Sequence, residues 1–279
     1  MENMTEENTC PCRDLFSDND DKSPDYKICS LYSGSSGNCT YIAAGRSRIL
    51  IDAGKSARSL SLALKSIGSD ISEIDAIFIT HEHTDHVSAL ETLSKKHHIP
   101  IHATMGCAGV ISRPGTATSS CVIPHPPLFT VELDGITVSS FLTSHDSRCP
   151  VGYKIVTEGG TSLGVVTDTG IVTRSTAEAL TGCRAAVIEC NHDKRLLATG
   201  PYPLHLKERI SSSKGHLSNE ACATFVAYLA EKGTKSFILA HLSAENNTKK
   251  SALDTVRRAV SDSRVSIAVS DPDSPVFME

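Results

Sequence analysis

The sequence predicts one α/β domain in which two sheets pack against each other with helices outside. Three observations carry this. Short apolar runs bounded by Gly, Ser and Asp recur along the chain at strand length. Hairpin patterns dominate its first two-thirds, and strand–helix alternation dominates the rest. There is also no internal repeat of 20–50 residues that would indicate a solenoid or propeller.

Regular structure is expected from about Lys27. ICSLY, CTYIAA and RILIDAG read as strands separated by Gly/Ser-rich turns. ARSLSLALKSIG places Leu60, Leu64 and Ile67 on one helical face. IDAIFIT is a buried strand, and TDHVSALETLSKKHH is one helix capped by Thr84. The stretch from Ile99 to Pro127 reads as irregular. LFTVELDGITVSSFLTS is a hairpin about Asp134-Gly135, a favoured turn pair. GYKIVTEGGTSLGVVTDTG is a second hairpin, about Gly159-Gly160. RSTAEALTG is a helix and CRAAVIEC a buried strand. Residues 191–217 have few apolar side chains and read as a long loop or short helices. SNEACATFVAYLAEKG sets Cys222, Phe225, Val226 and Leu229 on one stripe of a helix. SFILAH is a strand, NTKKSALDTVRRAVSD a closing helix, and VSIAVSDPDSPVFME holds one last strand.

Charge divides the chain. Residues 1–25 carry eight acids and two bases, a net of −6, so the remainder carries +1 of the overall −5. Residues 1–26 are therefore expected to be an acidic, disordered extension ahead of a single domain at 27–279. Its charge does not argue against an acidic partner for that domain. No apolar run approaches the ~20 residues of a membrane span. The first residues lack a basic-then-apolar signal, so a cytoplasmic protein with no membrane association is expected. The 10 cysteines include no C-x-x-C pair and read as free thiols.

The densest chemistry is THEHTDH, residues 80–86. It is not H-E-x-x-H, because Asp85 stands four residues after His81. Cysteine ligands are missing from it, so a zinc finger fits poorly. His81 and His83, two apart in extended backbone, point the same way and can hold one metal. Asp85 and His86 open the next helix and face a neighbouring position. Two metals about 3.5–4 Å apart can clamp and activate a water. Further ionisable groups follow apolar runs: His145 after ITVSSFLTS, Asp168 after LGVV, His241 after SFILA.

HEHTDH resembles the H-x-H-x-D-H motif of the metallo-β-lactamase superfamily. LIDAG (50–54), THEHTDH, SHD (144–146), TDTG (167–170) and AHLS (240–243) occur in that family's order, across residues 28 to about 260. The resemblance implies a four-layer αββα sandwich with two divalent ions at one edge, zinc or manganese in the first place and iron as a further option. It implies that His81, His83 and His145 hold one ion, that Asp85, His86 and His241 hold the other, and that Asp168 bridges them. Asp52 would orient a ligand histidine from behind.

SGSSGN (33–38), ECNHD (189–193), GPYPLHLKERI (200–210), GHLSNE (215–220) and AHLSAENN (240–247) are similar to the bacterial YycJ/WalJ branch, described as metal-dependent nucleases acting on double-stranded DNA. Cys190 departs from that branch, where serine is expected. The implied activity is phosphodiester hydrolysis, 5′-3′ exonuclease-like, by a metal-activated water. Asp85 would orient that water, and His216, not needed as a ligand, would protonate the leaving oxygen. Asn38 with the Gly/Ser turn can hold a phosphate oxygen, and Asn191 and His192 are candidates to face the substrate. Residues 192–216 carry Lys194, Arg195, Lys207, Arg209 and Lys214 against Asp193 and Glu208, a basic loop suited to a phosphate backbone. Aromatic-interleaved basic patches are missing, so recognition by base stacking is not expected. The alternatives are a phosphodiesterase of the same fold acting on RNA or a small molecule and, from another class, a catalytically silent metal-bound scaffold. The presence of all seven candidate ligands favours an enzyme.

Overall fold

The computed structural model describes residues 25–278. The expected acidic extension lies outside the described residues apart from its last two positions. The first half of the chain contains strands β1 (Tyr26–Tyr32), β2 (Cys39–Ala44), β3 (Ser47–Ile51), β4 (Ala76–Phe78), β5 (Ile101–Thr104) and β6 (Val122–His125). Among them lie helices α1 (Ala57–Ser66), α2 (Thr84–Val87), α3 (Leu90–His97), α4 (Met105–Ile111) and α5 (Thr118–Cys121). The second half contains β7 (Thr130–Leu133), β8 (Ile136–Leu142), β9 (Val151–Thr157), β10 (Ser162–Val166), β11 (Ala185–Glu189), β12 (Ser236–Ala240), β13 (Ser266–Val269) and β14 (Val276–Phe277). Its helices are α6 (Arg174–Leu180), α7 (Lys194–Thr199), α8 (Leu204–Ser211), α9 (Asn219–Glu231) and α10 (Lys249–Ala259).

The strands form two seven-stranded sheets, ordered β14-β1-β2-β3-β4-β5-β6 and β13-β12-β11-β10-β9-β8-β7. Alternation along each strand builds four layers. Ile49 and Ile51 of β3 join Val187 of β11 and Ile238 of β12 in a core between the sheets. Leu50 of β3 points the other way, onto Leu60 and Leu64 of α1 and Leu93 of α3. Phe237 and Leu239 of β12 meet Phe225, Val226 and Leu229 of α9 on the opposite outer face. Each sheet is thus buried on both faces, which is why its central strands read as continuous apolar runs. The four-layer αββα sandwich is the fold of this chain.

Three local expectations are corrected. The helix read from Thr84 to His98 is two helices, and its N-cap is His83, not Thr84. A continuous helix needs the carbonyls of Asp85 and His86 for its own ladder. Here Asn38 N–H donates to Asp85 O (2.8 Å) and Ala53 N–H to His86 O (2.8 Å), so neighbouring loops take both acceptors. The stretch 99–127 is not irregular: it folds as β5, α4, α5 and β6. β5 is buried throughout and shows no alternation, and Pro124 is tolerated because β6 is an edge strand. The tail holds two strands instead of one, since β14 pairs with β1.

Candidate active site

The C-terminal ends of the parallel strands β3 and β4 and of β10, β11 and β12 converge at one edge of the sandwich. Asp52 follows β3, His81 and His83 follow β4, and Asp168, Glu189 and His241 end or follow β10, β11 and β12. His145 arrives after β8. Asp52, Asp168 and His241 adopt φ of 65°, 53° and 56°. A left-handed conformation costs a non-glycine residue of order 1–3 kcal/mol, and three such residues at one edge mark a site whose geometry is held against local preference. Gly54 is required for packing: a Cβ there would lie 1.7 Å from Asp85 O.

Four histidines are oriented through their Nδ1 atoms. His86 Nδ1–H donates to Asp52 Oδ2 at 2.7 Å. Thr80 Oγ1–H donates to the same oxygen at 2.8 Å and accepts from His81 Nδ1–H at 3.0 Å. His145 Nδ1–H donates to the carbonyl of Gly215 at 3.0 Å. His241 Nδ1–H donates to Glu189 Oε1 at 2.9 Å. Each ring in its neutral form therefore carries its lone pair on Nε2. His83 instead presents Nδ1, 3.0 Å from His81 Nε2 and 3.3 Å from His145 Nε2.

The donor atoms fall into overlapping groups. His81, His83 and His145 form one and Asp85, His86 and His241 another, while His81, His86 and Asp168 form a third and Asp168, Glu189, His216 and His241 a fourth. Asp168 lies between the first two, with Oδ2 3.3 Å from His86 Nε2 and Oδ1 3.8 Å from His145 Nε2. Despite these approaches, Asp168 Oδ2 and His241 Nε2 are buried without a hydrogen-bond partner. Lone pairs facing lone pairs in a buried site call for cations, and imidazole with carboxylate is a donor set that suits divalent transition metals. The residues present fit the metal ions that the fold implies.

The titration directions reflect the same surplus of negative charge. Burial alone would depress His86, but the Asp52 and Asp168 carboxylates outweigh it and hold its pKa well above the ordinary 6.5. Burial is likewise overcome at His241 by Asp168, Asp85 and Glu189, which raise it to about 10. At Asp168, burial opposes ionisation, yet His241 and His86 keep the carboxyl well below its usual range. His81 goes the other way, since burial and then the His86 charge hold it well below 6.5.

The other sequence candidates separate. Asn38 was expected to hold a phosphate oxygen. Its amide is buried among other partners: Oδ1 accepts from Gly34 N–H (2.9 Å), and Nδ2 donates to Gly34 O (3.1 Å) and approaches Asp85 Oδ2 (3.3 Å) and His86 Nε2 (3.1 Å), so it stands against two candidate ligands, the other role open to it. Asn191 donates from Nδ2 to the carbonyl of His241 at 2.8 Å and lines the cavity over the donor cluster. His192 does not line that cavity. It is buried and faces a larger neighbouring one. His216 lines both cavities and donates from Nδ1 to Glu189 Oε1 at 2.8 Å, with Nε2 unpartnered among the described residues. Of the basic loop, Arg209 is engaged by Asp146, Nε to Oδ2 at 2.6 Å, which docks α8 against the SHD segment. Cys190 donates to Asn219 Oδ1 at 3.1 Å, away from the cavity.

Two residues were missed. Glu189 is fully buried, and its carboxylate serves four groups: His216 and His241 on Oε1, and the N–H groups of Thr169 and Leu217 on Oε2. Against burial, His216 and then His241 hold its pKa down to about 2. Its signal was in the sequence, because it closes the apolar run AAVIE much as Asp168 follows LGVV. Thr80, the hydroxyl linking Asp52 to His81, stood inside the THEHTDH stretch itself.

Residues 47–242 match the Beta-lactamase superfamily domain. The chain is 32% identical over 234 residues to an Exodeoxyribonuclease YycJ of Bacillus anthracis, covering 82% of this chain and 87% of that protein. It is 33% identical over 247 residues to an Exodeoxyribonuclease WalJ of Streptococcus pneumoniae, covering 88% and 91%. The metallo-β-lactamase fold protein YhfI of Bacillus subtilis superposes with a TM-score of 0.67 at 16% identity, over 90% of this chain and 99% of that one. The sandwich, the strand-end cluster of metal-fitting donors and this similarity over most of the chain agree: it belongs to the β-lactamase superfamily, in its YycJ/WalJ-like branch, and is a hydrolase of the metallo-β-lactamase fold.

Proposed function

We propose that this chain is a two-metal phosphodiesterase that degrades double-stranded DNA from an end, in the 5′-3′ direction. One observation supports this above the others: among the overlapping donor groups are two separate sets of three, with the Asp168 carboxylate between them. His81, His83 and His145 would hold one divalent ion and Asp85, His86 and His241 the other, with Asp168 shared. When bound, such ions supply Lewis acidity to a phosphoryl oxygen and make water nucleophilic near neutral pH. Asp85 is less buried than its neighbours and lines the cavity, where its carboxylate can accept a hydrogen bond from the attacking water. Glu189 fixes the His216 ring so that Nε2 is free to give a proton to the departing oxygen. The names of the two relatives support DNA as the polymer. A cytoplasmic location accords with that substrate and with eight free cysteines among the described residues. No helix among those residues is long and apolar enough to cross a membrane.

The test is incubation of manganese- or zinc-loaded protein with end-labelled linear duplex DNA, beside Asp85→Ala. Metal-dependent shortening from the 5′ end by wild type, with loss of at least about 10²-fold in the variant at unchanged fold, is expected. Near-wild-type rates in Asp85→Ala would remove the mechanism. Cleavage of single-stranded RNA or of a small diester in place of duplex DNA would redirect the substrate assignment.

A further inference from the structure

His216 has a second neighbour besides the donor cluster. Behind it opens a cavity of about 570 Å³, roofed by α7 and α8 and floored by the first turn of α9. Its size lies within the ~300–1,000 Å³ typical of small-ligand sites. Leu197, Ala198, Leu204 and Ala221 supply the apolar part of its lining. Leu204 is 71% exposed, the most of any exposed large apolar side chain among the described residues, and it has no core role. Lys194 and Lys207 stand on the lining with Glu208, a net of +1. The Lys207 ammonium is tethered to Ala198 O at 2.8 Å, which keeps it beside the apolar wall. His192 closes the bottom, 2% exposed, with Nδ1 unpartnered. The cavity thus joins an apolar wall, cationic groups and the candidate proton donor.

We propose that this cavity is the subsite for the leaving nucleotide, and that its ligand class is the deoxynucleoside 5′-monophosphate. This rests on the phosphodiesterase reading, because it places the departing group on the side of His216. Water oxygen bonds to phosphorus and the P–O3′ bond breaks. The 3′-oxygen takes the proton from His216 Nε2, and the phosphoryl group stays on the shortened strand as its new 5′ end. The released nucleotide sets its base against Leu197, Leu204 and Ala198 and its 5′-phosphate toward Lys194 and Lys207. A base lying on aliphatic side chains needs no Phe, Tyr or Trp platform, in keeping with the absence of those residues from this lining.

Binding of dAMP to the metal-loaded full chain, measured by calorimetry, tests the subsite without relying on turnover. Two variants are compared with wild type: Lys194→Glu/Lys207→Glu, which reverses the cationic charge, and Ala198→Trp, which fills the cavity from an exposed helical position. Each should weaken dAMP by about tenfold or more, a loss of two charge-assisted phosphate contacts or of the base wall. Wild-type hydrolysis of bis(4-nitrophenyl) phosphate, which has no nucleoside to seat, reads the phosphodiester chemistry apart from this cavity. Two folded variants that bind dAMP as wild type does would overturn the subsite. If wild type cleaves neither this diester nor DNA, the phosphodiesterase reading fails, while a loss of dAMP affinity in both variants would still support a nucleotide site.

Discussion

At the scale of single residues, Glu189 has the largest consequence for its size. One buried carboxylate oxygen accepts from both His216 and His241, so a candidate proton donor and a candidate ligand share one anchor. Replacing Glu189 with Gln keeps the volume and leaves an oxygen that can still accept from both rings, but it removes the negative charge, and its NH₂ then meets N–H groups of Thr169 and Leu217 that need an acceptor. Partners of this kind behind a metal ligand are typically worth 10–100-fold in affinity or activity. Glu189→Gln should therefore lower metal content, measured by elemental analysis, and DNA turnover together by about 10–100-fold. Full metal occupancy with wild-type turnover would show that neither ring depends on it. This residue was legible in principle, because it ends a buried strand as the candidate ligands do. Its double hydrogen bond was not, since it joins residues 27 and 52 positions away in sequence.

At the scale of elements, the sequence showed where strands end and not how they are bonded to loops. Alternation and turn pairs located both hairpins, because each is a local pattern. The split of the helix after THEHTDH was hidden, because the acceptors that break it are taken by residues 38 and 53. The strands β5 and β6 were hidden as well, being short, parallel and distant from their partners. Their pairing brings His102 Nδ1 to 2.9 Å from His125 Nε2, with the His102 ring stacked on Phe78 at 4.7 Å between centroids. Burial and then the His125 charge depress His102 to about 4. The unfolded chain, with an ordinary histidine pKa of about 6.5, takes up this proton first. The neutral ring's contribution is therefore full above pH 6.5 and is lost as pH falls from about 6.5 to about 4, by at most ~3 kcal/mol. Urea denaturation between pH 7.5 and 4.5 should show wild type losing more stability on acidification than His102→Gln, which has no titrating ring there. Parallel pH curves for the two proteins would assign the acid sensitivity elsewhere.

At the scale of the whole molecule, two kinds of burial meet at one edge. The three apolar cores are complete without any ligand, and strands β11 and β12 are buried along their whole length, with all but Glu189 and Ser236 in those cores. The edge is different. Asp168, Glu189, His81, His86 and His241 are buried together, three of the edge residues adopt left-handed backbone, and two of its buried polar atoms lack partners. The sequence made the donors visible as ionisable groups after apolar runs. That they form one cluster follows only from two sheets aligned so that their strands end on the same side. Metal ions that bind this folded edge and not the open chain stabilise the protein by mass action, about 4 kcal/mol at a thousandfold excess over Kd. Chelation should therefore lower the melting temperature without unfolding the chain at 25 °C, and added zinc or manganese should restore it in a concentration-dependent manner. Hydrogen exchange should locate the effect: amides of 52–54, 80–89, 167–170 and 241–247 exchange faster in the chelated protein, while those of β11 and β12 do not change. The same contrast separates an ion site from a fold dependent on metal, because global unfolding on chelation would accelerate exchange in β11 and β12 as well. Equal melting temperatures and equal exchange with and without metal would mean that the edge holds its charges without ions, and the two-metal assignment would fall.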